Sequence, residues 1–329
     1  MELLSTREAF ERIRQAVLPF DLEKRKLAES TGYILGEDIF AATDLPPFDR
    51  VAMDGIAIRY ADLQGRDSSF QILSRQAAGE KPHTLSGDGV AVEVMTGGVL
   101  PTGADTVVRY EDLEIKEDIV NILPEVRISE GQNIHRRGSD RAAGALLADA
   151  GCVITPPIAG IAASQGYTKL RCRTWPAISI LSTGDELVPV SRTPRAHQIR
   201  MSNPYLVYSA LQSLGADATI DHMPDDRKQM RKVLKKHLRR SDILVVSGAV
   251  SMGKFDFLPE VAASLGVEAV FHGVRQRPGK PFWFGRGEGK VVFGFPGNPV
   301  STAACTAYYL IPYLKTILGM PESGFYKVS

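Results

Sequence analysis

Cysteine is scarce: Cys152, Cys172 and Cys305 are the only three in 329 residues. They are far apart, odd in number and form no CxxC pair. That excludes a disulfide framework or a cysteine zinc site and fits a reducing, cytoplasmic compartment. Long apolar runs are also missing. No stretch reaches the ~20 residues needed to span a bilayer, and the longest candidate, Ala303 to Leu318, contains Pro312 and Lys315. The opening MELLSTREAFERIRQ lacks the apolar core of an export signal, so no membrane partner is expected. An excess of either charge is absent too. The 39 basic and 38 acidic residues leave a net +1, which argues against a nucleic-acid partner and against an acidic disordered tail.

What is present is ordinary in amount and uneven in arrangement. The length exceeds one ordinary core and implies two or three domains. Ser5-Thr6-Arg7-Glu8 reads as a capping box, followed by Phe10, Ile13, Val17 and Leu18 at helical spacing. A second helix-like stretch leads to Thr31-Gly32-Tyr33. At Pro46-Pro47-Phe48-Asp49 the texture changes. From about Ile56 to Asn133, short alternating runs separated by Gly, Pro, Asp and Ser turns predict an all-β module. Pro156-Pro157 precedes a helix over Ile158 to Ser164.

From Trp175 onward strands and helices alternate. Strand-like runs occur at Ile178–Leu181, Ala218–His222, Ile243–Val246 and Val291–Phe295. Ser202-Asn203-Pro204 starts one helix, which Gly215 ends, and Asp225 or Asp226 caps another. A helix follows Pro299. This order predicts an α/β domain with a mostly parallel, three-layer arrangement, helices on both faces. The basic run Arg231 to Arg240 reads as the solvated face of a helix.

Ligands of open α/β sheets bind beyond the C-terminal strand ends. The loops there are the candidates. Ser182-Thr183-Gly184-Asp185-Glu186 follows the first strand, and Glu186 can hold a metal or a ligand hydrogen. Ser247 to Asp256 offers glycine N–H groups and serine hydroxyls suited to an oxyanion or phosphate; it contains no P-loop. Phe295-Pro296-Gly297-Asn298-Pro299 is a stiff turn before a helix start. Arg275, Arg277 and Lys280 could neutralise phosphates. A flexible connector, polar turns and plain surface basicity are the structural alternatives. Asp54, Glu186, Asp225 and Asp256 near a phosphate would repel it, and a hard divalent cation such as Mg²⁺ removes that conflict.

Together the motifs resemble the molybdopterin molybdenumtransferase family, of the MoeA/gephyrin E-domain type. The matching segments are PPFD…AMDG (46–55), VMTGG…LPTGADTVV (94–108), RRGSD (136–140), STGDEL (182–187), SGAVSMGKFD (247–256), RPGKP (277–281) and FPGNPVS (295–301), in the family's order. The resemblance implies a discontinuous linker and dimerisation domain (1–45 and 141–173), a β-rich insertion (46–140) and a molybdopterin-binding α/β domain (174–329). It implies insertion of molybdate into adenylylated molybdopterin with release of AMP and use of Mg²⁺. It also implies a homodimer whose sites are shared between subunits, and a molybdopterin adenylyltransferase as a possible partner. Asp54, Thr96 and Asp140 fall on the insertion side of the catalytic site. Glu186, Asp225, Asp256, Pro296 and Pro299 fall on the α/β side, with Glu186 and Asp256 as metal ligands. Thr183, Gly184, Ser247, Gly248, Ser251, Gly253, Arg277, Lys280, Gly297 and Asn298, with Pro296 and Pro299, are the expected contacts to the pterin or its phosphates.

Some positions depart from the pattern. Ala249 replaces a usual glycine, Arg277 a lysine, Met201 an acid, Arg50-Val51 an Asn-Ser pair and His135 an arginine. The family's further C-terminal β domain does not lie within residues 1–329. Two other readings stay open: a pterin-binding paralogue with weakened catalysis, and a molybdopterin adenylyltransferase.

Overall fold

The computed structural model describes residues 3–18, 22–63, 68–248, 250 and 257–321. The expectations at Ala249, Ser251, Met252, Gly253 and Asp256 lie outside the described residues. The chain forms two compact units, Met1–Asp38 with Ala148–Ser329, and Ile39–Leu147.

The first unit opens with helix α1 (Thr6–Gln15). Its capping box is formed: Ser5 Oγ accepts from the Glu8 N–H at 3.2 Å and Glu8 Oε2 accepts from the Ser5 N–H at 2.7 Å. Ala9 and Ile13 face the core, whereas Val17 lies past the helix end and is exposed. The segment before Thr31 corrects the sequence expectation. It is not helical but forms strand β1 (Leu22–Lys26), then one 3₁₀ turn over Leu27–Glu29. The reason is tertiary. All five β1 residues pair with a later strand, and that ladder outweighs the helical propensity of Glu, Lys and Arg. Strand β2 (Ile34–Leu35) follows.

The second unit is built on a six-stranded sheet. Its strands are β3 (Gly55–Ile58), β4 (Ser69–Gln76), β5 (Val90–Val94), β6 (Thr106–Arg109), β7 (Leu113–Lys116) and β8 (Ile119–Ile122). They lie in the order β6-β3-β5-β4-β8-β7, antiparallel except for β4 beside β5. Ile56, Ile58, Phe70 and Val108 bury one face, and Ala57, Val92, Val94 and Val107 the other. The all-β module read from the sequence is therefore present, and its central strands are apolar on both sides.

The first unit resumes with α2 (Pro156–Ser164) and β9 (Lys169–Arg173), which pairs with both β1 and β2. Next come β10 (Ile178–Thr183), α3 (Asn203–Gln212), β11 (Thr219–Met223), α4 (Arg227–Leu238), β12 (Ile243–Ser247), α5 (Leu258–Ala263), β13 (Glu268–His272), β14 (Trp283–Gly287) and β15 (Lys290–Phe295). The sheet order is β11-β10-β12-β15-β14-β13. The first four strands are parallel and β14 and β13 antiparallel, so the sheet is mixed. Helix α6 (Pro299–Cys305) continues through a π turn (Thr306–Leu310) into α7 (Ile311–Leu318). The π turn ends just before Pro312, the second residue of α7, whose missing N–H would interrupt a regular helix.

Ile180, Val245 and Phe293 point to one face of this sheet and pack with residues of α1, α3, α6 and α7. Leu181, Val246 and Val292 point to the other and pack with α4 and α5. The basic side chains Lys232, Lys235, Lys236, Arg239 and Arg240 are exposed, while Met230, Leu234 and Leu238 are buried, so the basic run is a helix's solvent face. No described helix is long and apolar enough to cross a membrane.

A polar network pins α4 to the sheet. Buried His237 meets Ser179 Oγ at 2.8 Å and Asp221 Oδ2 at 3.0 Å. Burial pushes the Asp221 carboxyl up, but hydrogen bonds from His237, the His222 N–H and Lys236 outweigh it and hold it down to about 2. A depressed carboxyl stabilises the fold above its unfolded value, and that contribution fades as pH falls through the folded value. The Asp221 side chain is 39% exposed, so solvent screening reduces the effect to about 1 kcal/mol. Asp221→Asn should therefore cost about 1 kcal/mol in urea unfolding at pH 7. The gap from the parent should narrow steadily below pH 4; a gap independent of pH would contradict the assignment.

Candidate active site

Three strands of the first unit end level. Ser182 of β10 pairs with Ser247 of β12, which pairs with Phe295 of β15. The loops beginning at Gly184, Gly248 and Pro296 therefore leave the sheet side by side at its ligand-binding end. Gly248 turns the chain: its N–H donates to the Phe295 carbonyl at 2.9 Å, and its φ is +98°. A Cβ there would also come within 2.9 Å of the Thr183 carbonyl oxygen, so glycine is required.

The first turn of α3 closes a cleft against these loops. Asn203 Nδ2 donates to Ser247 Oγ at 2.8 Å and to the Gly297 carbonyl at 2.7 Å. One amide ties a helix start to two strand-end loops. Ser182, Thr183, Glu186, Met201, Ser247, Gly297 and Pro299 line the cleft with it. Ser202 does not cap α3 as expected. Its backbone is already helical and its hydroxyl makes no capping bond.

The charged groups are arranged unequally. The Thr183 hydroxyl donates to the Asp225 carboxylate, and the Asp225 N–H donates to Asp185 Oδ1 at 3.3 Å. Asp226, not Asp225, caps α4 by accepting from the Gln229 N–H at 2.9 Å. That leaves Asp225 at the strand end beside Thr183. Glu186 is exposed, and its carboxylate has no hydrogen-bond partner among the described residues. It lies against Gly184, where a Cβ would meet Glu186 Oε2 at 2.6 Å. Met201 stands in place of an expected acid, and its thioether accepts from the Ser182 hydroxyl.

Not every expected contact reaches this cleft. Asn298 Oδ1 is committed to the Val300 and Ser301 N–H groups at 2.9 and 3.1 Å as the cap of α6. Pro296 is buried, and its carbonyl accepts from Thr302 Oγ1 at 2.9 Å. Arg277 lines a separate cavity with Arg7, Phe10 and Tyr308. Lys280 is exposed, and its carbonyl accepts from the Val274 N–H at 2.9 Å. No three His, Cys, Asp or Glu side chains converge as a metal site among the described residues. Asp256, the expected second metal ligand beside Glu186, is not among them.

In the second unit Asp54 and Thr96, 42 positions apart, meet directly. Asp54 Oδ1 accepts from both the Thr96 N–H and the Thr96 hydroxyl at 2.6 Å. The hydroxyl, then the N–H, holds the Asp54 carboxyl below its usual range. Gly55 is required beside it because a Cβ would strike the Val108 carbonyl. Residues Arg50–Val51 pair with Ile134–His135 and bridge to Val99, so the AMDG, MTGG and RRGSD segments lie together. Asp49 and Asp44 neutralise Arg136 and Arg137 at 2.8 and 2.6 Å. Asp140 is exposed and its carboxylate has no partner among the described residues.

Sequence reasoning missed two features, the Asn203 bridge and the Ser182–Met201 contact. Ser-Asn-Pro was read only as a helix start. The available signal was a buried-type position for Asn at the mouth of the strand ends.

The chain is similar to known proteins over most of its length. Residues 4–166 match the MoeA N-terminal region (domain I and II), and residues 179–316 match a probable molybdopterin binding domain. The chain is 38% identical over 285 residues to the molybdopterin molybdenumtransferase of Synechocystis sp., covering 86% of this chain and 73% of that protein. The Staphylococcus aureus molybdopterin molybdenumtransferase is 32% identical over 326 residues, covering 97% and 77%. Crystal structures of a molybdopterin biosynthesis MoeA protein from Pyrococcus horikoshii superpose with TM-scores of 0.76 and 0.73 at 28% and 26% identity. They cover 97% and 98% of this chain and 81% of that protein. With its strand-end cleft, its Asp54–Thr96 pair and these matches along most of its length, the chain belongs to the molybdopterin molybdenumtransferase family of molybdenum cofactor biosynthesis.

Proposed function

We propose that this protein inserts molybdate into adenylylated molybdopterin and releases AMP. The observation that supports this most is the level ending of β10, β12 and β15. It gathers Thr183, Glu186, Ser247 and Gly297 into one cleft. The pterin and its phosphates occupy this cleft, with the Gly248 backbone at its edge. The two S–H groups of the substrate's dithiol then displace one molybdate oxygen, which leaves as water with their two protons, and a second water hydrolyses the phosphoanhydride to release AMP.

Glu186 is an unneutralised carboxylate in a cleft read as holding an anion. A divalent cation with oxygen ligands and substrate phosphate resolves that repulsion. Mg²⁺ fits this donor chemistry, with Glu186 and Asp256 to hold it. Asp225, held by Thr183, positions polar groups of the substrate. Asp54, ionised by its two Thr96 hydrogen bonds, and Asp140, whose carboxylate has no partner among the described residues, act on the same substrate from the β-rich side. We place them there across a homodimer, one copy supplying the α/β cleft and the other Asp54, Thr96 and Asp140. The linker of residues 1–45 and 141–173 would carry the dimer contact. Preorganised charge supplies most of the rate in such a site. A molybdopterin adenylyltransferase is the natural donor of the substrate.

The test gives purified protein adenylylated molybdopterin, molybdate and Mg²⁺. AMP release with formation of active cofactor supports the reading. Adenylylation of molybdopterin by ATP would instead make it the adenylyltransferase, and binding without turnover a paralogue with lost chemistry. Asp54→Asn and Glu186→Gln should each lower turnover by about 100-fold or more with unchanged thermal unfolding; full rates in both would remove the site assignment. Thr96→Val deletes the hydroxyl donor to Asp54. It should raise the Asp54 carboxyl toward its ordinary value and move the acid limb of the pH–rate profile upward. An unmoved limb would show that Asp54 ionisation does not govern the reaction.

A further inference from the structure

Asn203 is 9% exposed, and one of its polar atoms is unused. Its Nδ2 donates to Ser247 Oγ and to the Gly297 carbonyl. The second partner fixes the amide's orientation, because a carbonyl oxygen only accepts. Oδ1 is thereby left buried without a hydrogen-bond partner among the described residues. Leaving such an acceptor unpaired is costly, and native folds rarely do so without a purpose. Of the side-chain donors that line the cleft, the Ser182 hydroxyl is turned to Met201, the Thr183 hydroxyl to Asp225 and the Arg200 Nε to the Val190 carbonyl, and neither these nor Ser202 and Ser247 donate to Oδ1. Oδ1 is therefore open to a donor from a ligand in the cleft.

Phosphate and molybdate oxygens are acceptors and would repel Oδ1. A 2-amino-4-oxo pyrimidine ring carries amino and ring N–H donors. We propose that Asn203 Oδ1 accepts a hydrogen bond from the 2-amino group of the pterin and is the residue that selects a pterin over its 2-oxo counterpart. This rests on the reading of the cleft as the pterin site. Asn203 thus has two jobs. Its Nδ2 assembles the cleft, and its Oδ1 reads the ring that enters.

Fluorescence titration of the full chain with pterin-6-carboxylate and lumazine-6-carboxylate tests this, because lumazine puts a 2-oxo acceptor where the pterin has its 2-amino donor, with N1 protonated in consequence, and keeps the rest of the ring. The wild-type protein should bind the pterin at least about tenfold more tightly, since a buried acceptor rejects a ligand that lacks the donor. Asn203→Ala should bind both more weakly and within about twofold of each other. A structural role alone would weaken both ligands and leave their ratio unchanged. Equal binding by the wild type, or a preference that survives Asn203→Ala, would overturn the Asn203 assignment and leave the pterin site standing. Failure of the wild type to bind either ligand would overturn both. Titrations with EDTA and with Mg²⁺ add a further arm. Binding that requires Mg²⁺ and shows no preference would assign Oδ1 to a cation and overturn the proposal. The wild-type ligand comparison holds even if the alanine variant does not fold.

Discussion

The register of three parallel strands governs the cleft. Because Ser182, Ser247 and Phe295 stand opposite one another, the loops that follow them start at one height. A one-residue slip in either ladder would send every inward side chain to the opposite face. The alternating burial of Ile180 and Leu181, and of Val245 and Val246, in two separate cores makes such a slip prohibitive. The apolar core therefore fixes the height of the polar loops. Asn203 adds the cross-tie that α3 needs to close over them.

Electrostatics then sorts the acids into roles that spacing alone does not distinguish. Asp226 caps a helix and Asp225 receives the Thr183 hydroxyl, although they are neighbours. Asp44 and Asp49 are spent on arginines, whereas Asp54 is held ionised by a threonine and Glu186 has no partner among the described residues. Carboxylates used for structure are paired. Asp54, Asp225 and Glu186 have no ion-pair partner among the described residues, which suits them to meet a cation or a ligand.

Much of this was legible in the sequence. The capping box at Ser5, the β-rich span and the alternating strands and helices after Trp175 follow from local pattern. The strand-end rule points to the loops that line the cleft. The rest depends on tertiary contacts. Strand β1 carries the composition of a helix and becomes a strand through its pairing with β9. Asn298 looks like a loop ligand yet turns back to cap α6, and Arg277 faces α1. Asn203 was hidden because its partners, Ser247 and Gly297, are 44 and 94 residues away.

Two clusters on two units, Asp54 with Thr96 and Glu186 with Thr183, are proposed to act on one substrate across a homodimer. Co-expression of differently tagged Asp54→Asn and Glu186→Gln chains measures this directly. Each variant alone should be nearly inactive. A random mixture contains about half mixed dimers, each with one intact shared site, and so should recover about one quarter of the wild-type rate of AMP release. Mixed dimers that are isolated through both tags and remain inactive would contradict the shared site.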